Sequence, residues 1–229
     1  MHPILFKIGP ITIYSYGFML VLAFLVAANL SSRQAKRQGI DGDIVYSFCF
    51  IAFVFGVLGA RLFYVAENIA EYLKNPIEII MLQHGGLSWY GGMIAGCLSG
   101  IIYLRTKKVS LYKTLDVIAP FIALAQSIGR IGCYFNGCCF GHTLIPAQLL
   151  SSFILLINFI VLRRMQDKPH KEGKIFLSYL LLYSLKRFII EFIRSDNPVI
   201  FWDLTLFHFI SIVLFVFSLT GLLRMRLKK

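Results

Sequence analysis

The sequence predicts an all-α polytopic membrane bundle of about seven transmembrane helices, with the N-terminus outside and the C-terminus cytoplasmic. Three observations predict it. Of the 229 residues, 58% are hydrophobic and the mean hydropathy is +0.74, against roughly 45–50% apolar content in soluble domains. The apolar residues fall in runs near the length of about 20 that a hydrocarbon core requires. The Lys and Arg residues, 23 against 11 Asp and Glu, gather at every second junction between those runs.

Taken in order, apolar runs bounded by turn signals place spans near residues 11–32, 43–66, 88–104, 111–133, 146–162, 174–194 and 205–223. The segment before the first lacks a basic n-region and the run has no A-x-A-like cleavage site, so it reads as an uncleaved span and not a signal peptide. Between the second and third spans, Glu67 to Gly86 is too mixed to cross and reads as an outer-face interfacial segment. Gly92, Gly96 and Gly100 on the third span have the small-xxx-small spacing that lets helix backbones approach. The two Gly-Gly pairs bracketing Ser88, Trp89 and Tyr90 suggest irregular backbone, tolerated at membrane depth only inside protein or beside a wet cavity. Gln166 to Lys174, with Pro169 and Gly173, is a polar turn. The whole, residues 1–229, is expected to be a single integral membrane domain.

The net charge of +12 raises the question of nucleic acid, and the distribution of the charge excludes it. The basic clusters are Arg33, Lys36 and Arg37; Arg105, Lys107, Lys108 and Lys113; Arg163, Arg164, Lys168, Lys171 and Lys174; and Arg224, Arg226, Lys228 and Lys229. They alternate across the spans and form no single patch, which is the positive-inside pattern.

Arg61, Glu67, Asp116, Arg130, Lys186, Arg187, Glu191 and Arg194 lie within or at the ends of the predicted spans. A charge at the bilayer centre costs roughly 2.5–3.5 kcal/mol on insertion scales, so such residues require pairing or a ligand. With bases outnumbering acids, an anionic ligand balances the group, and the abundant anion of a membrane is a phospholipid phosphate. Tyr183, Arg187, Glu191 and Arg194 keep within about 80° on one helical face. The pattern also admits a self-neutralising Arg187–Glu191 pair and an Arg194 that snorkels to the interface. Lys186 lies off this stripe and is expected to snorkel. Arg130, between Gly129 and Gly132, presents a guanidinium with little crowding, suited to bidentate phosphate binding.

Cys49 and Cys97 sit in apolar runs as small core residues. Cys133, Cys138 and Cys139 crowd one loop-like stretch, and three readings stand: small structural residues or a disulfide, a functional thiol, or a metal site. No complete tetrahedral zinc set is evident, and the expectation is for no metal and no cofactor.

These motifs resemble the bacterial prolipoprotein diacylglyceryl transferase family over nearly the whole chain. The resemblance rests on Tyr16-Gly17, Gly59-Ala60-Arg61, Gly85 to Gly92, Asp116 to Pro120, Gly129-Arg130-Ile131-Gly132 with Asn136-Gly137 and Gly141, Pro146 to Leu149, and Tyr183 with the Arg187 to Arg194 block. It implies transfer of a diacylglyceryl group from phosphatidylglycerol to the lipobox cysteine thiol of a prolipoprotein, the first step of lipoprotein maturation, in the bacterial inner membrane. It further implies catalytic roles for Arg130, Arg187, Tyr90 and Glu191, and substrate contacts for Tyr16, Arg61, Asn136, Gly141, Tyr183 and Arg194. Tyr90 stands where the family usually has histidine, Cys133 and Cys138 where it has Asn and Glu, and only residues 142–145 separate Gly141 from Pro146, where well-known members carry an extracytoplasmic insert. His84 and His142 are alternative bases, and His208 is expected to hydrogen bond within the bundle. Two other readings remain: a related lipid transferase with a different acceptor, and a non-catalytic bundle that binds or transports anionic phospholipid.

Overall fold

The computed structural model describes residues 3–8, 11–81, 85–139, 141, 146–194, 199–201 and 204–227; the side chains of 8, 11 and 199–201 are not described. His84, His142, Lys228 and Lys229 lie outside the described residues. In chain order the elements are β1 (Ile4–Ile8), β2 (Ile11–Tyr14), α1 (Ser15–Arg37), α2 (Gly42–Glu67), α3 (Ile69–Tyr72), a 3-10 turn (Pro76–Ile79), α4 (Trp89–Thr106), α5 (Leu111–Asn136), α6 (Ala147–Gln166), α7 (Lys174–Glu191), β3 (Val199–Phe201), β4 (Leu204–Thr205) and α8 (Leu206–Leu227). The long helices coincide with the predicted spans. α1, α2, α5, α6 and α8 are long and apolar enough to cross a membrane. α4 and α7, 18 residues each, are diluted by glycines and by charges respectively.

Two expectations need correction. The first span was expected to begin at residue 11, yet Ile11–Tyr14 pairs antiparallel with Ile4–Ile8, and the helix starts at Ser15. The β-branched and aromatic residues of ILFKI and ITIY favour a pleated strand. The sixth span was expected to reach Arg194, but α7 stops at Glu191, and Arg194 forms an isolated antiparallel bridge with Gly141.

The chain divides into two compact units, Ser32–Leu111 and Met1–Ser31 with Tyr112–Lys229. In the first, α2 and α4 pack along their glycines. A Cβ on Gly59 would stand 2.2 Å from Ala95 Cβ and 2.8 Å from the Gly91 carbonyl, and one on Gly96 would stand 2.9 Å from the Ala52 carbonyl. This is the close backbone approach that the small-residue spacing predicted.

In the second unit, Ala119 and Ala123 of α5, Leu162 of α6, and Ile175 and Tyr179 of α7 form a buried apolar cluster. Ser127 and Ser152 tie α5 to α6: each hydroxyl lies 2.9 Å from the other serine's carbonyl, to which it can donate, and the two hydroxyl oxygens are 2.9 Å apart. Pro120 inside α5 has no N–H to donate to the carbonyl four residues earlier. Gln166 Nε2 fills that vacancy, donating to the Asp116 carbonyl at 2.9 Å. Leu62, Phe153, Val213 and Phe217 are exposed while Ser127, Ser152, Asn158, Ser211 and Ser218 are buried. An apolar exterior over a partly polar interior is what lipid as solvent selects.

Asp116, one of the charges that required a partner, caps the start of α7. Its Oδ2 accepts from Gly173 N at 2.7 Å and its Oδ1 from Phe176 N at 2.8 Å. These are the orphan N–H groups of a helix N-terminus. Asp116→Ala is expected to cost about 1–2 kcal/mol, read as a lower thermal unfolding midpoint in detergent micelles. An unchanged midpoint would show that the cap contributes nothing.

Candidate active site

Gly129 to Asn136 closes α5, and the chain then turns through Gly137, whose φ of 72° is free of Cβ strain. Arg130 projects from this last stretch, half-buried. α7 supplies Tyr183, Lys186, Arg187 and Glu191, and Arg194 follows just beyond the helix. Arg130, Arg187, Arg194 and Lys186 lie close enough for their charges to act on one another. Arg187 Nη2 is 3.1 Å from Glu191 Oε2, and its guanidinium lies over the Phe207 ring at 4.3 Å. The predicted i, i+4 pair therefore forms, with Arg187 as its cation. Among the described residues, Arg130 has no carboxylate within ion-pair distance.

Glu191 is itself held from behind. Thr205 Oγ1 donates to its Oε1 at 2.7 Å, and the Thr205 N–H donates to His208 Nδ1 at 3.0 Å. His208 thus hydrogen bonds within the bundle as expected, and it packs against Phe188 and Phe192. Thr205 carried no signal in the sequence, because its role depends on α8 returning alongside α7.

Lys186 was expected to snorkel, and the structure overturns this. It is 2% exposed, its Nζ over the Tyr183 ring at 5.2 Å. Tyr183 lies one turn earlier, where an aromatic face offers a cation an alternative to water. The spacing rule gave the angle of Lys186 but not the neighbouring helices that enclose it.

The other predicted residues of this unit join the same group. Tyr16, at the start of α1, lies within reach of the Arg130 charge and of the three cysteines. A Cβ on Gly132 would stand 2.9 Å from Met19 Cβ and 3.6 Å from the Tyr16 ring, so α1 and the end of α5 touch here. The Asn136 side chain hydrogen bonds the Cys138 thiol. Gly141 bridges Arg194, and a Cβ there would stand 2.9 Å from the Ile193 carbonyl. Glycine is needed at 141 because backbone occupies the space of a side chain.

All five cysteines are free thiols. A hydrogen bond from the Cys133 thiol, reinforced by the charges of Arg194 and Arg130, outweighs burial and pulls the Cys139 thiol down to about 5, while burial pushes Cys138 up. In chelator-washed micelles, Cys139 is expected to alkylate with iodoacetamide at about pH 6.5, where Cys138 stays protonated. Because the depressed group is charged above its folded value, the rate should fall as pH drops through 5, a trend that peptide mapping would follow. Equal labelling of both thiols at every pH would contradict it.

Arg61 and Tyr90 belong to the other unit. Arg61 is 4% exposed and its guanidinium is saturated by backbone carbonyls. Nε donates to Ile79 O at 3.0 Å, Nη1 to Gly85 O at 2.5 Å and Gly86 O at 2.9 Å, and Nη2 to Glu78 O and to Met81 O at 3.3 Å. Five acceptors meet five N–H donors. Gly85 and Gly86 have φ of 83° and 77°, and a Cβ on Gly86 would stand 2.7 Å from Arg61 Nη1. The first Gly-Gly pair thus turns its carbonyls onto Arg61. Tyr90, in the first turn of α4, is 39% exposed with its ring edge-on to Trp89 at 5.4 Å.

Helices of this length and apolarity define a multi-pass membrane protein. Residues 3–224 match the family model described as prolipoprotein diacylglyceryl transferase. The chain belongs to that family. It is similar to a phosphatidylglycerol–prolipoprotein diacylglyceryl transferase of Enterococcus faecalis, 35% identical over 94% of this chain and 87% of the relative. Proteins of the same name from Streptococcus mutans and Clostridium tetani are 34% and 33% identical, covering 94% and 86% of this chain and 92% and 86% of theirs.

Proposed function

We propose that this chain transfers the diacylglyceryl group of phosphatidylglycerol to the lipobox cysteine thiol of a prolipoprotein, as a single domain of the bacterial inner membrane with its N-terminus outside and C-terminus in the cytoplasm. The observation that carries the reading is the gathering of cations: Arg130, Arg187 and Arg194 all lie within charge range of Lys186, and among the described residues Arg130 has no carboxylate within ion-pair distance. A phosphodiester headgroup supplies the missing negative charge.

The acceptor thiolate attacks the glyceryl carbon that carries the phosphate oxygen. An S–C bond forms, the C–O bond breaks, and the electron pair leaves on glycerol phosphate. Negative charge grows on the departing phosphate, so donors aimed at it stabilise the transition state more than the bound lipid. Arg130 and Arg187 are assigned that role, with Glu191 fixing the orientation of Arg187 and Arg194 adding positive field. Tyr16, Asn136, Gly141 and Tyr183 shape the headgroup pocket. Tyr90 is assigned to the thiol proton. Arg61, its donors spent on backbone, acts as a positioning residue for the outer segment and not as a lipid contact.

The test is direct. Purified protein in phosphatidylglycerol micelles is expected to add one diacylglyceryl mass to a lipobox peptide and none to its Cys→Ser analogue. Absence of the gain under conditions where the Enterococcus faecalis relative produces it would defeat the proposal. Phosphatidylglycerol binding without transfer would favour a binding bundle.

A further inference from the structure

Cys133, Cys138 and Cys139 present three sulfur atoms within 4.8 Å of one another, and the Cys138 and Cys139 sulfurs are 3.9 Å apart. Zinc–thiolate bonds of about 2.3 Å in tetrahedral geometry put sulfurs about 3.8 Å apart. The trio is therefore near ligand spacing before any ion arrives. Its backbone is arranged for this at a cost. Cys139 has φ of 62°, a left-handed conformation in a residue with a Cβ, which costs about 1–2 kcal/mol where glycine would cost nothing. The strain brings the Cys139 thiol beside that of Cys133, which hydrogen bonds to it. Gln148 Nε2 holds the turn by donating to the Cys138 carbonyl at 2.7 Å.

We propose that Cys133, Cys138 and Cys139 form a binding site for a thiophilic d10 metal ion such as Zn2+, with a fourth position left to water. Each thiol releases its proton to solvent as its sulfur–metal bond forms, and no electron changes hands. Three thiolates and a divalent ion carry a net charge of −1. Arg130 and Arg194, whose charges already act on Cys139, favour that anionic complex. A soft ion also suits the set, because thiolate ligands select zinc and copper(I) over magnesium or calcium.

The experiment uses the full chain in detergent with a phosphine reductant, Zn2+ as the probe, desalting, and metal analysis by mass spectrometry. About one zinc per chain is expected for the wild type and for the Cys49→Ser/Cys97→Ser variant. Cys133→Ser and Cys139→Gly should each lose it. Cys139→Gly removes the thiol while relieving the left-handed strain, so its fold is expected to survive, and elution as a monodisperse peak checks this. Cd2+ added to the wild type should produce an ultraviolet thiolate charge-transfer band that Cys139→Gly lacks. A monodisperse wild type that retains no zinc, or zinc retained equally by Cys139→Gly, overturns the site. So does a disulfide among the three cysteines that persists in the reductant.

Discussion

Arg130→Ala is expected to lower diacylglyceryl transfer by about 10²–10³-fold, the range seen when one donor to a developing oxyanion is removed, while leaving the fold intact. Among the described residues Arg130 has no carboxylate within ion-pair distance, so its loss orphans no buried acid. Arg187→Ala should cost at least as much activity and, in addition, about 3–5 kcal/mol of stability, because it leaves Glu191 charged and 2% exposed without its pair. The double variant Arg187→Ala/Glu191→Ala should recover much of that stability and none of the activity. Arg187→Lys keeps a charge but not a planar fork, and should rescue stability more than turnover. Thermal melts beside the peptide mass-shift assay separate the two effects. An Arg130→Ala variant with normal turnover would remove the phosphate from the site altogether.

Arg61→Ala carries the second large effect, and it is expected to be structural. Five backbone carbonyls between Glu78 and Gly86 lose their donor at once. Hydrogen bonds to a charged group contribute about 1.5–3 kcal/mol each, though not additively, so a loss of about 3–5 kcal/mol is expected. Hydrogen exchange should rise across residues 78–81 and 85–86 while the contact of α2 with α4, built on glycine, stays protected. An ammonium has three donors on a flexible stem, so Arg61→Lys should restore only part of the protection. Unchanged exchange in this segment would leave Arg61 available to lipid after all. For turnover, the expected pattern is a fall that follows the lost protection, since Arg61 acts through the segment it holds.

Much of this architecture was legible before any coordinate. Span length and the glycine spacing of α4 are local quantities, and each was found where expected. The common face of Tyr183, Arg187 and Glu191 on α7 was also legible, because a helix turns by a fixed angle. Lys186 shows the limit: its angle off that stripe was right, yet the conclusion of snorkelling was wrong, since burial depends on what packs against the helix. Asp116 looked like a charge in search of an ion and proved to be a cap for a helix whose start lies 58 residues later in the sequence. Arg61 was expected to contact substrate, and in the structure its donors reach five backbone carbonyls between Glu78 and Gly86.

Composition and residue order are enough to say that this chain lives in lipid, where its helices begin and end to within a few residues, and which residue types must be reconciled inside it. Hydropathy and helical period set these, and both act over a few turns of one segment. It took the packed helices to show that Asp116 caps α7 and that Thr205 and His208 support Glu191. Coulombic and hydrogen-bonding partners are chosen by distance in space, and that distance is set by how separate helices pack.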